Sequence, residues 1–259
     1  MQQFHKLQQQ ELQLQIKILE QQVVIKTQEL SFKDLLTNHT LLKNQFQAKF
    51  EQQELTINNL QKDQRETVKE TIRVPGIEPF IAPCDSTDTG NGWTVIQRRM
   101  DGSVNFNQKW EQYKYGFGKL STEFWLGLEK LHRMTEFQPH ELYIQLKDFR
   151  NETRYARYSK FSVGNESQSY ELSIGGYTGS AGNALELHQN KKFSTEDQFN
   201  DNICGHTHQS GWWFTDCYTC NLNGMYTKTG DYNWQSLKWN TWHEKPLKFV
   251  QMMIRPSTK

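Results

Sequence analysis

The residues best suited to chemistry crowd into one stretch, Phe193 to Gly224, which reads FSTEDQFNDNICGHTHQSGWWFTDCYTCNLNG. Three of the chain's four cysteines fall there, with two histidines, several carboxylates and the pair Trp212-Trp213. Cys204-x-His206-x-His208 followed by Cys217-x-x-Cys220 offers soft ligands suited to zinc, although its spacing fits no common finger. The other reading is a pair of cysteines joined as a disulfide beside surface histidines, pinning a loop region over a floor of packed indoles. Catalysis finds no support. The motifs G-x-S-x-G, H-E-x-x-H and the P-loop are missing, and the glycines at 175, 176, 179 and 182 fit a turn between strands and lack the Lys-Ser/Thr of a phosphate cradle. The expected chemistry is recognition, not turnover.

A recognition region needs a platform, and the composition divides the chain into two kinds of material. Mean hydropathy is −0.84, low for one globular unit of 259 residues. The polarity sits in residues 1–72, which are rich in Gln, Glu and Lys and contain no Cys, Gly, Pro or Trp, whereas all 8 Trp, 6 Pro and 16 Gly follow. This places a boundary near Arg73, with a helical segment 1–72 and a turn-rich segment 73–259. In the front segment a heptad register puts Phe4, Glu11, Ile18, Ile25, Phe32, His39 and Phe46 at a, and Leu7, Leu14, Gln21, Gln28, Leu35 and Leu42 at d. A four-residue stutter then moves the seam to Phe50, Gln53, Ile57 and Leu60. The pattern predicts one coiled-coil helix to about residue 70. Its apolar seam calls for other copies of the chain, as a homo-oligomer that the mixed a/d residues leave as dimer or trimer.

Net charge is +1 and no basic stripe accompanies the aromatics, which sets nucleic acid aside as a partner. No run of 18 apolar residues exists, so no membrane-spanning helix is expected. The start MQQFHKLQQQELQ shows no apolar signal region. Acceptor sequons at Asn38, Asn151 and Asn165 and the cysteine content nevertheless point to a secreted, extracellular glycoprotein.

In the back segment, strands are expected at Gly92–Gln97, Glu141–Phe149, Tyr155–Val163 and Tyr170–Ile174, and a helix over Glu123–Arg133. Asp101-Gly102 reads as a turn, and loops take over after Phe193, so the class is α+β.

GWTVIQRRMDGSVNF, EFWLGLEKLH, YARYSKFSVG, FSTEDQ, GWW, CNLNG and MMIRP occur in that order. With them the chain, from about Pro75 to Pro256, resembles the fibrinogen-related C-terminal domain shared by fibrinogen chains, angiopoietins and angiopoietin-like proteins, ficolins and tachylectins. The resemblance implies an antiparallel sheet with a loop-rich ligand subdomain, non-enzymatic and carried on an oligomerising stalk. It implies a Cys204–Cys217 disulfide and a cis peptide at Asp216-Cys217. Cys84 matches half of the family's first disulfide but lacks the upstream partner, so Cys84 and Cys220 are expected as free or intermolecular thiols. The family's calcium run corresponds to Asp197-Gln198-Phe199-Asn200-Asp201, with Phe199 in place of a ligand carboxylate. Calcium should therefore bind weakly or not at all, with Asp201 and then Asp197 as the remaining candidates. In sugar-binding members an acetyl group sits beside this disulfide near a histidine. Here Tyr218 replaces that histidine, His208 stands about where one loop aromatic would be, and Tyr226, Tyr232 and Trp234 could supply further rings. Two functions follow: lectin-like capture of carbohydrate or acetylated groups in innate immunity, or an angiopoietin-like ligand for a receptor or extracellular enzyme.

Overall fold

A computed structural model describes residues 2–64, 68–85, 90, 92–199 and 203–257. The chain separates into two compact units, Met1–Glu66 and Thr67–Lys259.

The first unit is one helix, α1 (Gln2–Gln64), unbroken because nothing in it is Gly or Pro. Every side chain described on it, residues 11–54, is exposed in the single chain. The described apolar a and d residues range from 48% exposed at Ile18 to 69% at Phe46. A second apolar stripe, Leu12, Ile16, Leu19, Val23 and Leu30, runs along the opposite face at positions b and f, and it is equally bare. The heptad reading did not include it.

The second unit begins with β1 (Val68–Ile72) and β2 (Phe80–Asp85), then β3 (Trp93–Arg99), α2 (Trp110–Tyr115), β4 (Phe117–Gly118), β5 (Phe124–Trp125) and α3 (Leu128–Phe137). It continues through β6 (His140–Lys147), β7 (Thr153–Val163), β8 (Leu172–Gly179), α4 (Cys204–His208), β9 (Cys220–Asn221), β10 (Lys238–Trp239) and β11 (Phe249–Pro256). The main sheet runs β1-β2-β3-β11-β6-β7-β8 with every pairing antiparallel, and β5 attaches β4 to β3. The last strand is thus threaded into the middle, with Met252 opposite both Ile144 and Gln97. Val95, Leu142, Ile144, Leu146, Met252 and Ile254 are fully buried in the core. Helix α3 packs on β7 and is tied to its end, where Val163 N donates to Thr135 Oγ1 at 3.1 Å.

Three expectations need correction. The helix expected to reach residue 70 ends at Gln64, because β-branched Thr71 and Ile72 pair with Ile81 and Phe80 at the sheet edge. The helix expected from Glu123 starts at Leu128, after a strand. Gly127 makes that switch at φ 114°, where a Cβ would stand 2.7 Å from Tyr115 C. Gly175, Gly176 and Gly179 lie inside β8 and do not form a turn. Gly176, at φ 68°, faces Ser159 so closely that a Cβ would sit 1.9 Å from its Oγ, so the edge strand needs glycine there.

Candidate ligand-binding cleft

The site is built outward from β3. All seven residues of this strand are buried, including polar Gln97 and Arg99, and these two reach the CNLNG segment. Gln97 Nε2 donates to Leu222 O at 2.7 Å and to Asn223 Oδ1 at 3.1 Å, while Arg99 Nη1 donates to Gly224 O at 2.7 Å. The asparagines pass the restraint on. Asn221 Nδ2 donates to Ser210 Oγ and Asn223 Nδ2 to Gly211 O, each at 2.9 Å, which fixes the segment entering Trp212-Trp213. Both indoles are fully buried and meet edge to face at 5.2 Å, and Trp213 Nε1 donates to Tyr170 O. Trp213 is therefore hydrogen-bonded as well as packed.

Above it, Cys204 and Cys217 form a disulfide with Cα atoms 5.5 Å apart, and the Asp216-Cys217 peptide is cis, as the resemblance implied. With those thiols bonded to each other, the zinc set loses two ligands. His206 turns instead toward Glu196 at 3.7 Å. Cys84 and Cys220 are free thiols. Cys220 is fully buried, which removes it from intermolecular bridging, and burial raises its pKa well above the ordinary thiol value. Burial, and then Glu70 beside it, pushes Cys84 up to about 11.

His188 holds the segment after the disulfide. Its Nδ1 faces the Trp213 carbonyl at 2.7 Å and must donate, so Nε2 accepts from Thr219 N at 3.2 Å and Cys220 N at 3.3 Å. A proton on Nε2 would face two N–H groups. Burial first, then Lys191, holds the pKa down to about 4.

The result is an open cleft of about 460 Å³. His208, Tyr218, Tyr232 and Trp234 line it with Cys217, and Asp216, Lys238, Asn240 and Glu244 complete the wall. His208, at the end of α4, stacks on Phe214 at 6.0 Å and meets the edges of Tyr218 at 4.7 Å and Trp234 at 5.2 Å. Tyr218 Oη donates to Trp234 O, which joins the two sides. Burial, with Lys238 second, lowers the His208 pKa, so the ring is neutral at pH 7 and its buried Nδ1 has no hydrogen-bond partner. Tyr226 stands apart. Its Oη lies 2.9 Å from both Met100 O and Lys248 O, and it does not line the cleft.

Asp197 Oδ1 accepts from Trp110 N at 2.9 Å and Thr195 Oγ1 at 2.8 Å, so that oxygen closes the start of α2. Asp201 lies outside the described residues. The described part of the loop offers calcium one carboxylate already engaged beside the exposed Phe199, and does not make a ligand set. Asn38, Asn151 and Asn165 are exposed. Asn165 Oδ1 accepts from Ser167 Oγ at 2.7 Å, and Asn151 Oδ1 from Lys248 Nζ at 2.9 Å. Asp216 adjoins Cys217 in the sequence, but Lys238, Asn240 and Glu244 were not legible as site residues, since nothing in their spacing marks them and only the fold brings β10 and its following loop against the disulfide. No helix among the described residues is long and apolar enough to cross a membrane.

Residues 56–257 match the family described as fibrinogen beta and gamma chains, C-terminal globular domain. Fibrinogen C domain-containing protein 1 of Xenopus tropicalis is 45% identical over 188 residues, 68% of this chain and 41% of that protein. Angiopoietin-related protein 7 of Homo sapiens is 44% identical over 190 residues, 70% of this chain and 54% of that protein. The chain thus spans about half the length of these relatives. The fibrinogen-like globe domain of human ANGPTL2 superposes with a TM-score of 0.72 at 34% identity, over 78% of this chain and 98% of that one. With its central C-terminal strand, its disulfide over paired indoles and these likenesses, the chain belongs to the fibrinogen C-terminal globular domain family.

Proposed function

We propose that the cleft beside Cys204–Cys217 is the recognition site of a secreted, non-enzymatic protein that binds carbohydrate or acetylated groups in a lectin-like, innate-immune role. The reading rests on the convergence of four rings, His208, Tyr218, Tyr232 and Trp234, on one open cleft. Aromatic faces take the apolar face of a sugar, and Asp216, Asn240 and Glu244 on the rim accept from or donate to its hydroxyls. In this reading α1 joins the chain to other copies, so that weak single sites act together. The exposed sequons suit an extracellular glycoprotein.

A glycan array probed with the intact chain, with and without calcium, tests it. Sugars should be retained with little dependence on calcium. Trp234→Ala and His208→Ala should each weaken retention about tenfold, with the melting temperature held within about 3 °C. Unchanged binding by both variants would place the recognition surface elsewhere.

A second reading is a ligand for a protein receptor or extracellular enzyme. The 44% identity to an angiopoietin-related protein favours it, as do Tyr232 and Trp234, 67% and 48% exposed, since such rings anchor protein interfaces. An array without hits, joined to cross-linking of a cell-surface protein through Trp234, would select it.

A further inference from the structure

Lys238 is the unusual member of the cleft. Its side chain is 4% exposed, yet among the described residues no carboxylate lies within ion-pair distance of it. Its Nζ sits 4.2 Å from the centre of the Tyr232 ring, a contact that only partly offsets burying a charge. Glu244 is close enough to favour the charged form, but burial outweighs it and lowers the pKa. Beside Lys238, His208 carries its buried and unpartnered Nδ1. The buried Nδ1 is closed off from the cavity, but the His208 ring still lines it beside Lys238, so a cation without a carboxylate and a neutral imidazole share one wall. Asp216 and Glu244 also line the cavity but are exposed, so solvent screens their charge, whereas that of Lys238 acts in a lower dielectric.

We propose that the cleft selects a sugar bearing a carboxylate, which takes Lys238 as its counter-ion and His208 as a second hydrogen-bond partner. A carboxylate has two oxygens with four lone-pair directions, enough for both groups. Tyr232 and Trp234 take the apolar face of the ring, and Asn240 with the rim carboxylates takes its hydroxyls. These ring and rim contacts favour an acidic sugar over an acidic peptide. The inference rests on the cleft being the recognition site and adds the charge of what it recognises.

The test uses the intact chain in isothermal titration calorimetry with glucuronate and glucuronamide, which differ in the charged group alone. Glucuronate should bind about tenfold tighter, as a hydrogen bond to a charged group allows, and the difference should shrink as salt rises. Lys238→Met should abolish the preference and Lys238→Arg should keep it. If Lys238→Met does not fold, the two sugars on the natural chain still decide. Equal binding of the two sugars overturns the charge selection and leaves the cleft a binding site. Binding of neither sugar, when Trp234→Ala has also left array binding intact, overturns both readings. Preference for acetylglycine over acetylglycinamide without binding of glucuronate would assign the charge to a peptide and overturn the sugar.

Discussion

At His188 the hydrogen-bond geometry dictates the protonation state, and through it a pH dependence. The neutral ring accepts two backbone N–H groups and donates to a carbonyl, and its pKa falls to about 4 from an ordinary value of 6.5. A histidine depressed in the folded state binds fewer protons there than in the unfolded chain. Its contribution is therefore complete above about pH 6.5 and is lost as pH falls through about 4. Between pH 7 and 5 this removes about 2 kcal/mol from the unfolding free energy. Urea titrations at the two pH values should show that loss in the natural chain, and a smaller one in His188→Gln. Equal losses in both would mean that other groups carry the acid sensitivity.

Helix α1 exposes more apolar surface than one seam explains. With Ile18, Phe32 and Leu35 on one face and Leu12, Leu19 and Val23 on the other, each helix has two faces to bury, so neighbours on both sides are favoured. Sedimentation of the intact chain should show an oligomer, and a chain beginning at Thr67 should be monomeric. Leu35→Lys should dissociate the assembly. Leu19→Lys should leave it intact if the a/d seam alone binds copies, and should reduce its mass if the second stripe also does. A monomeric intact chain would end the proposal.

Across the globular unit, the sheet and the recognition loops are coupled by buried charge. Glu123 Oε1 accepts from Met100 N, Asp101 N and Gly102 N at 2.7 to 3.1 Å, and Arg99 Nε stands 3.7 Å away. The same guanidinium holds Leu222 O and Gly224 O and lies 3.8 Å over the Phe106 ring. Arg99→Met keeps the volume but leaves the Glu123 charge without its cation and Gly224 O without its donor, while Leu222 O keeps only Gln97. It should lower the unfolding free energy by about 3–5 kcal/mol, the range for breaking a buried pair. Denaturant unfolding followed by tryptophan fluorescence measures this. A change below about 1 kcal/mol would show that the loops are held without it.

Much of the architecture was legible because it is local. Alternation in ELYIQLKDF gives β6, the absence of Gly and Pro over 72 residues gives α1, and the ordered motifs with Cys204, Trp212-Trp213 and Cys217 give the family and its disulfide. The glycines of β8 misled, because a turn and an edge strand with Gly176 at φ 68° need the same freedom at φ > 0, and only the facing Ser159 distinguishes them. What the tertiary structure alone decided is which distant residues share a wall. Tyr226 and Tyr232 look alike in sequence, but one hydrogen-bonds across to Met100 and the other opens onto the cleft. Lys238 gains its role because β10 pairs with β9 two residues beyond Tyr218, which removes the lysine from solvent without supplying a carboxylate. Burial and partnership are properties of contacts between segments far apart in the chain, and those contacts exist only once the strands have paired.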